Sequence, residues 1–200
     1  MELPKSSVWA IANSDLIEDG LYRLLDIMQD VESVILYSLL DTSTTVRPIA
    51  VSLESFIELV SYHKAKKSPF VLPNYLLVDE ENISVEHIKR RDKNYDLVKG
   101  IVSDRAFLFD YATKKRSHQL AEYAKEVDVD RKSLARLLSQ YWRNGQDKMA
   151  LLPAFSNSGG YGRDRTPTTK PLGAPKQPRT IAVDRAAKFI INDEDKKKFQ

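Results

Sequence analysis

Between Asp130 and Arg143 the chain reads Asp-Arg-Lys-Ser-Leu-Ala-Arg-Leu-Leu-Ser-Gln-Tyr-Trp-Arg. Wound at roughly 100° per residue, Leu137, Leu138, Tyr141 and Trp142 fall within about 80° of Leu134. Lys132, Ser133, Arg136, Ser139, Gln140 and Arg143 fall on the opposite side, and Arg131 opens the same helix. That opposite face holds cations and hydrogen-bonding groups and no acid. An arginine can grip the O6 and N7 edge of guanine with two parallel bonds, and a glutamine can do the same for adenine. Cations at the rim of such a helix can rest on phosphates. This is the surface a helix needs to lie in the major groove of a duplex. Basic outer faces also occur in plain helical bundles, where the charges only hydrate the protein.

Other chemistry is poorly supplied. There is no cysteine, which excludes disulfide frameworks, thiolate zinc sites and thiol catalysis. His63, His87 and His118 are far apart and lack ligand spacing. Asp79-Glu80-Glu81 is a run of adjacent carboxylates whose side chains splay, so it reads as a loop or helix start. Gly159-Gly-Tyr-Gly162 lacks the Lys-Ser/Thr of a phosphate-binding loop. The expectation is therefore no catalytic residue, no metal site and no cofactor in this chain.

A recognition helix must be held by a partner helix across a tight turn. Leu120 to Tyr141 fits such a helix-turn-helix template. Ala124 is small where the helices would touch, Tyr123 and Val127 lie inward, and Val129 plugs the turn. Leu134 and Leu137 lie inward on the second helix, with Trp142 in the core. Asp128 stands where glycine is usual, and aspartate tolerates the left-handed backbone better than most residues. Asp130 is the predicted N-cap of a helix running from about Arg131 to Arg143, closed by Asn144-Gly145. The helix before it ends near Val127 and starts at either Asp110 or Ser117. An earlier one begins near Asp92, with Gly100 inside it at a cost of about 1 kcal/mol.

Upstream the pattern changes. Val8–Ala12, Leu21–Met28, Ser33–Leu39 and Val46–Val51 read as strands, separated by Asp19-Gly20, Gln29-Asp30 and the polar run 41–45. Ser52 caps a helix that stops near residues 63–67, and Phe70–Val78 is predicted as one more strand. The fold class is α+β: a small N-terminal β-rich module with one helix, shaped as a compact half-open barrel, then an all-α helix-turn-helix domain and a basic extended linker. The expected boundaries are 1–85, 86–152 and 153–182, with 183–200 as the truncated start of a further module, a helix capped by Asn192-Asp193. The chain thus reads as a piece of something longer.

Charge divides the same way. Apolar residues are 42% and charged residues 30% of the 200, enough for a core and a hydrated surface. The net charge of +3 conceals a first part, residues 1–85, with 6 Lys+Arg against 13 Asp+Glu; residues 86–200 have 25 against 15. The basic part points to a polyanion. Within it, residues 156–180 hold four Gly, four Pro and the cations Arg163, Arg165, Lys170, Lys176 and Arg179 against Asp164 alone. Such a segment buries too little to fold alone. It suits either a flexible spacer or a Pro-pinned strand lying along phosphates or in a minor groove. No apolar run nears the roughly 20 residues of a membrane span, and Met-Glu-Leu-Pro-Lys-Ser is no secretory signal, so a reducing cytoplasm and no membrane are expected.

The run from Leu134 through Tyr141-Trp-Arg-Asn-Gly-Gln146, then Ala150-Leu-Leu-Pro153 and Asn157-Ser-Gly159, resembles the N-terminal region of TnsB-type transposases. These are DDE-family, end-binding transposases of heteromeric and CRISPR-associated transposons. Asp19-Gly-Leu-Tyr-Arg-Leu-Leu-Asp-Ile27 is similar, more weakly, to the family's first strands. The resemblance implies sequence-specific binding of double-stranded DNA at transposon-end repeats, in a bacterial cytoplasm. It implies other protomers and other transposition proteins as partners. A catalytic domain using two divalent metal ions, magnesium by type, would lie beyond this chain. The alternatives are a protein-interaction or regulatory module, suggested by the acidic N-terminal part, and a free-standing helix-turn-helix regulator.

Overall fold

The computed structural model describes residues 3–40, 46–114 and 118–154, all within one compact unit, Met1–Ala154. The basic linker after Ala154 and the segment 183–200 lie outside the described residues. Five strands, β1 (Val8–Ile11), β2 (Gly20–Met28), β3 (Ser33–Ser38), β4 (Ile49–Ser52) and β5 (Ala65–Lys67), form one antiparallel sheet in the order β4-β3-β2-β1-β5. Helix α1 (Leu53–Ser61) carries the chain from one edge strand to the other. Ser52 caps it, its hydroxyl accepting from the Ser55 amide at 3.1 Å. Four helices follow: α2 (Val85–Val102), α3 (Arg105–Thr113), α4 (His118–Glu126) and α5 (Arg131–Arg143). The α+β class and the order of a β-rich part before a helical part are as expected.

The sheet is covered on both faces. Toward α1 it presents Trp9, Ile11, Tyr22, Leu24, Val34 and Leu36, with Trp9 meeting Phe56 edge-on at 5.5 Å. Toward α2–α5 it presents Leu25, Met28, Ile35 and Tyr37, packed with Val98, Phe107, Leu134, Leu138 and Trp142. Cover on both faces explains why β3 is continuously apolar, Val-Ile-Leu-Tyr, without alternation. One core thus joins sheet and helices across residue 85.

A bulge in β2 sets the two faces. Leu24 pairs with Leu36 while Asp26 pairs with Ile35, so Leu25 is an extra residue. The phase of alternation flips there. Leu24 and Leu25 are both buried, in different cores. Asp26 is turned toward the helices, where Arg105 donates from Nε to its carboxylate at 2.9 Å and from Nη2 to the Ile27 carbonyl at 2.8 Å.

Several expectations are corrected. The sheet is open, with β4 and β5 as its edges, and is not a half-open barrel. Phe70–Val78 contains no strand. Pro73 leads into a short 3-10 turn at Asn74–Leu76, and the last strand forms earlier, at β5. The first long helix starts at Val85, not Asp92, because Ser84 caps it. Of the two starts expected for the helix that ends near Val127, Asp110 and Ser117, the second fits α4, which begins at His118; α3, capped by Asp104 on the Phe107 amide at 3.1 Å, is a separate helix before it.

Near the start of α2, Arg91 is buried. Its guanidinium meets Asp92 and Glu80, each at 2.8 Å, and Lys148 reaches Asp92 at 2.9 Å. These bonds tie the 3-10 turns Glu80–Asn82 and Lys148–Leu151 to α2. Burial acts to lower the Arg91 pKa, and its bonds to Asp92 and Glu80 outweigh that and raise it. The hydrogen bond from Arg91, then that from Lys148, holds the Asp92 carboxyl below the usual carboxylate range. A carboxyl with a depressed native pKa stabilises the fold above its ordinary pKa of about 3.9 and stops doing so as pH falls through the native value. Asp92→Asn is therefore expected to lower stability at neutral pH, with the deficit shrinking below about pH 4, measured by urea unfolding across that range.

Candidate nucleic-acid interface

Helices α4 and α5 are joined by Val127 to Asp130. Asp128 takes the left-handed conformation, φ +52°. The Val129 amide donates back to the Ala124 carbonyl at 2.9 Å, and the Asp128 amide to Lys125 at 3.2 Å. This paired closure is the one that left-handed residues make at helix ends. Asp130 then opens α5, its Oδ2 accepting from the amides of Lys132 at 2.9 Å and Ser133 at 3.2 Å. Ala124 is buried with Leu120, Leu134 and Leu138. Tyr123 packs over Gly100 of α2, where an added methyl would lie 2.8 Å from the tyrosine oxygen. The expected turn, cap and bounds of α5 are all present.

Helix α5 is held at its far end by the sheet. Trp142 lies 5.9 Å from the Tyr37 ring and 5.8 Å from Tyr111. Arg23 of β2, only 5% exposed, donates Nε and Nη2 to the Arg143 carbonyl at 3.2 and 3.0 Å and Nη1 to the Ser6 carbonyl at 2.7 Å. Its guanidinium also stacks on Phe70 at 4.7 Å. The cation sits where the helix dipole is negative. Burial lowers its pKa from the ordinary arginine value. Arg47 lies over the ring of Tyr111, in α3, at 4.2 Å and donates to the Tyr111 carbonyl at 2.5 Å.

This anchoring decides which predicted contact residues reach solvent. Arg131, Lys132 and Arg136 are exposed, and Ser133, Gln140 and Arg143 are half-buried. Ser139 is 6% exposed, so its expected place on the outer face is corrected. It lies only about 60° around the helix from the buried Trp142. Gln140 donates from Nε2 to the Leu152 carbonyl at 3.4 Å, which turns its amide toward the fold. The outer basic face is therefore the N-terminal half of α5. Arg163, Arg165, Lys170, Lys176 and Arg179 lie outside the described residues.

Sequence reasoning missed the clamp at Arg23, an isolated cation in an apolar strand that was the one available signal. It also missed why Ala150-Leu-Leu-Pro153 matters. Ala150, Leu151 and Leu152 are buried beneath α2 and α5, and the Leu151 and Ala150 carbonyls accept from Asn94 at 3.3 Å and Asn144 at 3.4 Å. The described residues offer no group of three His, Asp or Glu able to hold a metal, and the close carboxylates Glu80 and Asp92 are held by Arg91. These residues do not fit a metal ion. Among the described residues no helix is long and apolar enough to cross a membrane.

Two stability outcomes follow from this geometry. Arg23→Leu leaves the Arg143 and Ser6 carbonyls without their donor and is expected to cost about 2–3 kcal/mol. Asp128→Val places a branched side chain at positive φ and is expected to cost roughly 1–2 kcal/mol, whereas Asp128→Gly is tolerated or slightly stabilising. Urea unfolding midpoints at neutral pH measure both.

With the geometry established, the comparisons with known proteins can be placed on it. Residues 91–155 match the family described as TnsB second domain, a span that runs from the buried Arg91 through α5 to the Ala-Leu-Leu-Pro turn. The chain is also similar to the transposon Tn7 transposition protein TnsB of Escherichia coli, with 31% identity over 96 residues. That alignment covers 47% of this chain and 13% of the relative, so the chain spans a small part of that protein's length. Residues 91–155, which hold α5 and the turns that seat it, are thus similar to the TnsB second domain.

Proposed function

We propose that this chain binds duplex DNA sequence-specifically, at repeated sites at transposon ends, as the N-terminal part of a DDE transposase. Helices α4 and α5 act as a helix-turn-helix. Arg136 faces base edges, and Arg131, Lys132 and Ser133 sit at the rim near phosphates. The observation that carries this reading is a grouping. Arg131, Lys132 and Arg136 stand exposed within six positions at the start of one helix, and among the described residues none of the three makes an ion pair. A row of uncompensated cations at the leading half of a helix is suited to polyanion contact. The similarity to a transposition protein supports the same reading. The linker cations Arg163, Arg165, Lys170, Lys176 and Arg179 would track the backbone beyond it. Strand transfer with two magnesium ions would belong to a domain downstream, and other protomers and transposition proteins would assemble on the same DNA.

Selection from a random duplex pool by the 200-residue chain tests this. Enrichment of a motif is expected. On the enriched duplex, Arg136→Ala is expected to cost about 1–3 kcal/mol and to relax preference at one position. Lys132→Ala should weaken all duplexes alike and reduce the salt slope by about one unit. A pool that stays random, with Arg136→Ala binding as the parent does, overturns the reading.

A further inference from the structure

The acidic N-terminal part gathers its own cations in one place. Residues 1–85 contain six Lys+Arg, and three of them, Lys64, Lys66 and Lys67, fall within four positions. Of the others, Arg23 is spent on the end of α5 and Arg47 is packed on Tyr111. Lys66 and Lys67 are exposed on β5, and among the described residues neither makes an ion pair. The strand that bears them is fixed. It pairs with β1 through Trp9 to Lys67 and Ala10 to Lys66, and the amides of Ala12 and Ser68 close it at both ends on the Lys64 and Val8 carbonyls.

The corner that leads into this strand is tightly closed. Helix α1 ends with the Lys64 amide donating to the Leu59 carbonyl at 2.8 Å and the His63 amide to Val60 at 3.1 Å. His63 occupies the left-handed position between them, φ +58°. Glycine is the usual residue in that position, and a ring there costs backbone freedom that packing does not return, because His63 is exposed. Its neighbour Tyr62 is 74% exposed. A phenol and an imidazole at the corner, and two ammonium groups on opposite faces of the adjoining edge strand, thus flank one edge of the sheet, each able to donate to a phosphate oxygen.

We infer that the corner from Tyr62 to Lys67 is a second contact with DNA, to the phosphodiester backbone and without sequence preference. This rests on the proposed function and extends it to the sheet, which the net charge of its part of the chain had set apart from nucleic acid. Cations at one edge of an acidic body favour a grazing contact with a duplex, since the carboxylates elsewhere would repel a deeper approach.

The test uses the 200-residue chain, a random-sequence duplex and a salt series. Lys66→Gln/Lys67→Gln is expected to reduce the slope of log affinity against log salt by about two, with affinity falling roughly tenfold near 0.1 M salt. Tyr62→Ala is expected to weaken random and selected duplexes by the same factor, leaving their ratio unchanged. Matching unfolding midpoints and light scattering establish that the variants are folded and monodisperse like the parent. An unchanged salt slope in the double lysine variant overturns the inference, including the case in which that variant associates because the lysines only guard the strand edge. The outcomes separate the two readings: no binding of any duplex by the parent chain defeats the proposed function, whereas parent binding with an unaltered slope in the variant defeats this inference alone.

Discussion

The described structure turns on a guanidinium taken out of water. Arg23 leaves the middle of a β-strand and closes the end of α5 with two bonds to the Arg143 carbonyl, while its third reaches the N-terminal segment at Ser6. A buried arginine is costly unless its donors are met, and here three are met by carbonyls. The bonds are charge-assisted, and so stronger than neutral ones. They fix where α5 ends on the sheet, and the rings of Trp142, Tyr37 and Tyr111 then fix its rotation. The face left outward follows from those two restraints.

This arrangement divides α5 into two working halves. Its C-terminal half is structural: Ser139 is buried, Gln140 is turned to Leu152, and Trp142 fills the space above the sheet. Its N-terminal half begins at a strong cap, Asp130, and projects Arg131, Lys132 and Arg136. An element needed for positioning and one needed for contact are thus combined in a single short helix. The turn Lys148–Leu151 supports it from behind, with Asn94 and Asn144 meeting carbonyls of the buried Ala-Leu-Leu run.

Much of this was legible in the residues. The limits of α5, its cap at Asp130, the left-handed Asp128, the cap at Ser52 and the first three strands all arise from local chemistry: short polar side chains that bond their own backbone, and apolar spacing. What escaped was set by distant neighbours. Ser139 lies on the polar side of its helix and is buried all the same, by packing between elements that the spacing along one helix does not record. Arg91 breaks the apolar stripe of α2 and is buried because Glu80 and Asp92 meet its charge. The span Phe70–Val78 has the composition of a strand, but Pro69 and Pro73 lack the amide donors that a ladder needs. Apolar spacing left two starts for the helix before α5, Asp110 and Ser117, and it did not show that α3, from its cap at Asp104 to its end at Lys114, is a helix of its own.

The extra residue in β2 has a bearing on how the sheet finds its alignment. A regular strand can slide by two residues on its neighbour and still keep the same side chains on each face, so alternation leaves several near-equivalent pairings. With Leu25 inserted, the two ends of β2 alternate in opposite phase, and a slide that suits one end would carry the kink away from the partner position that accommodates it. Mispaired hairpins are thereby penalised at every offset, and the nine-residue β2 can act as an indexing key, admitting one alignment of β3 before the helices have arrived to enforce it.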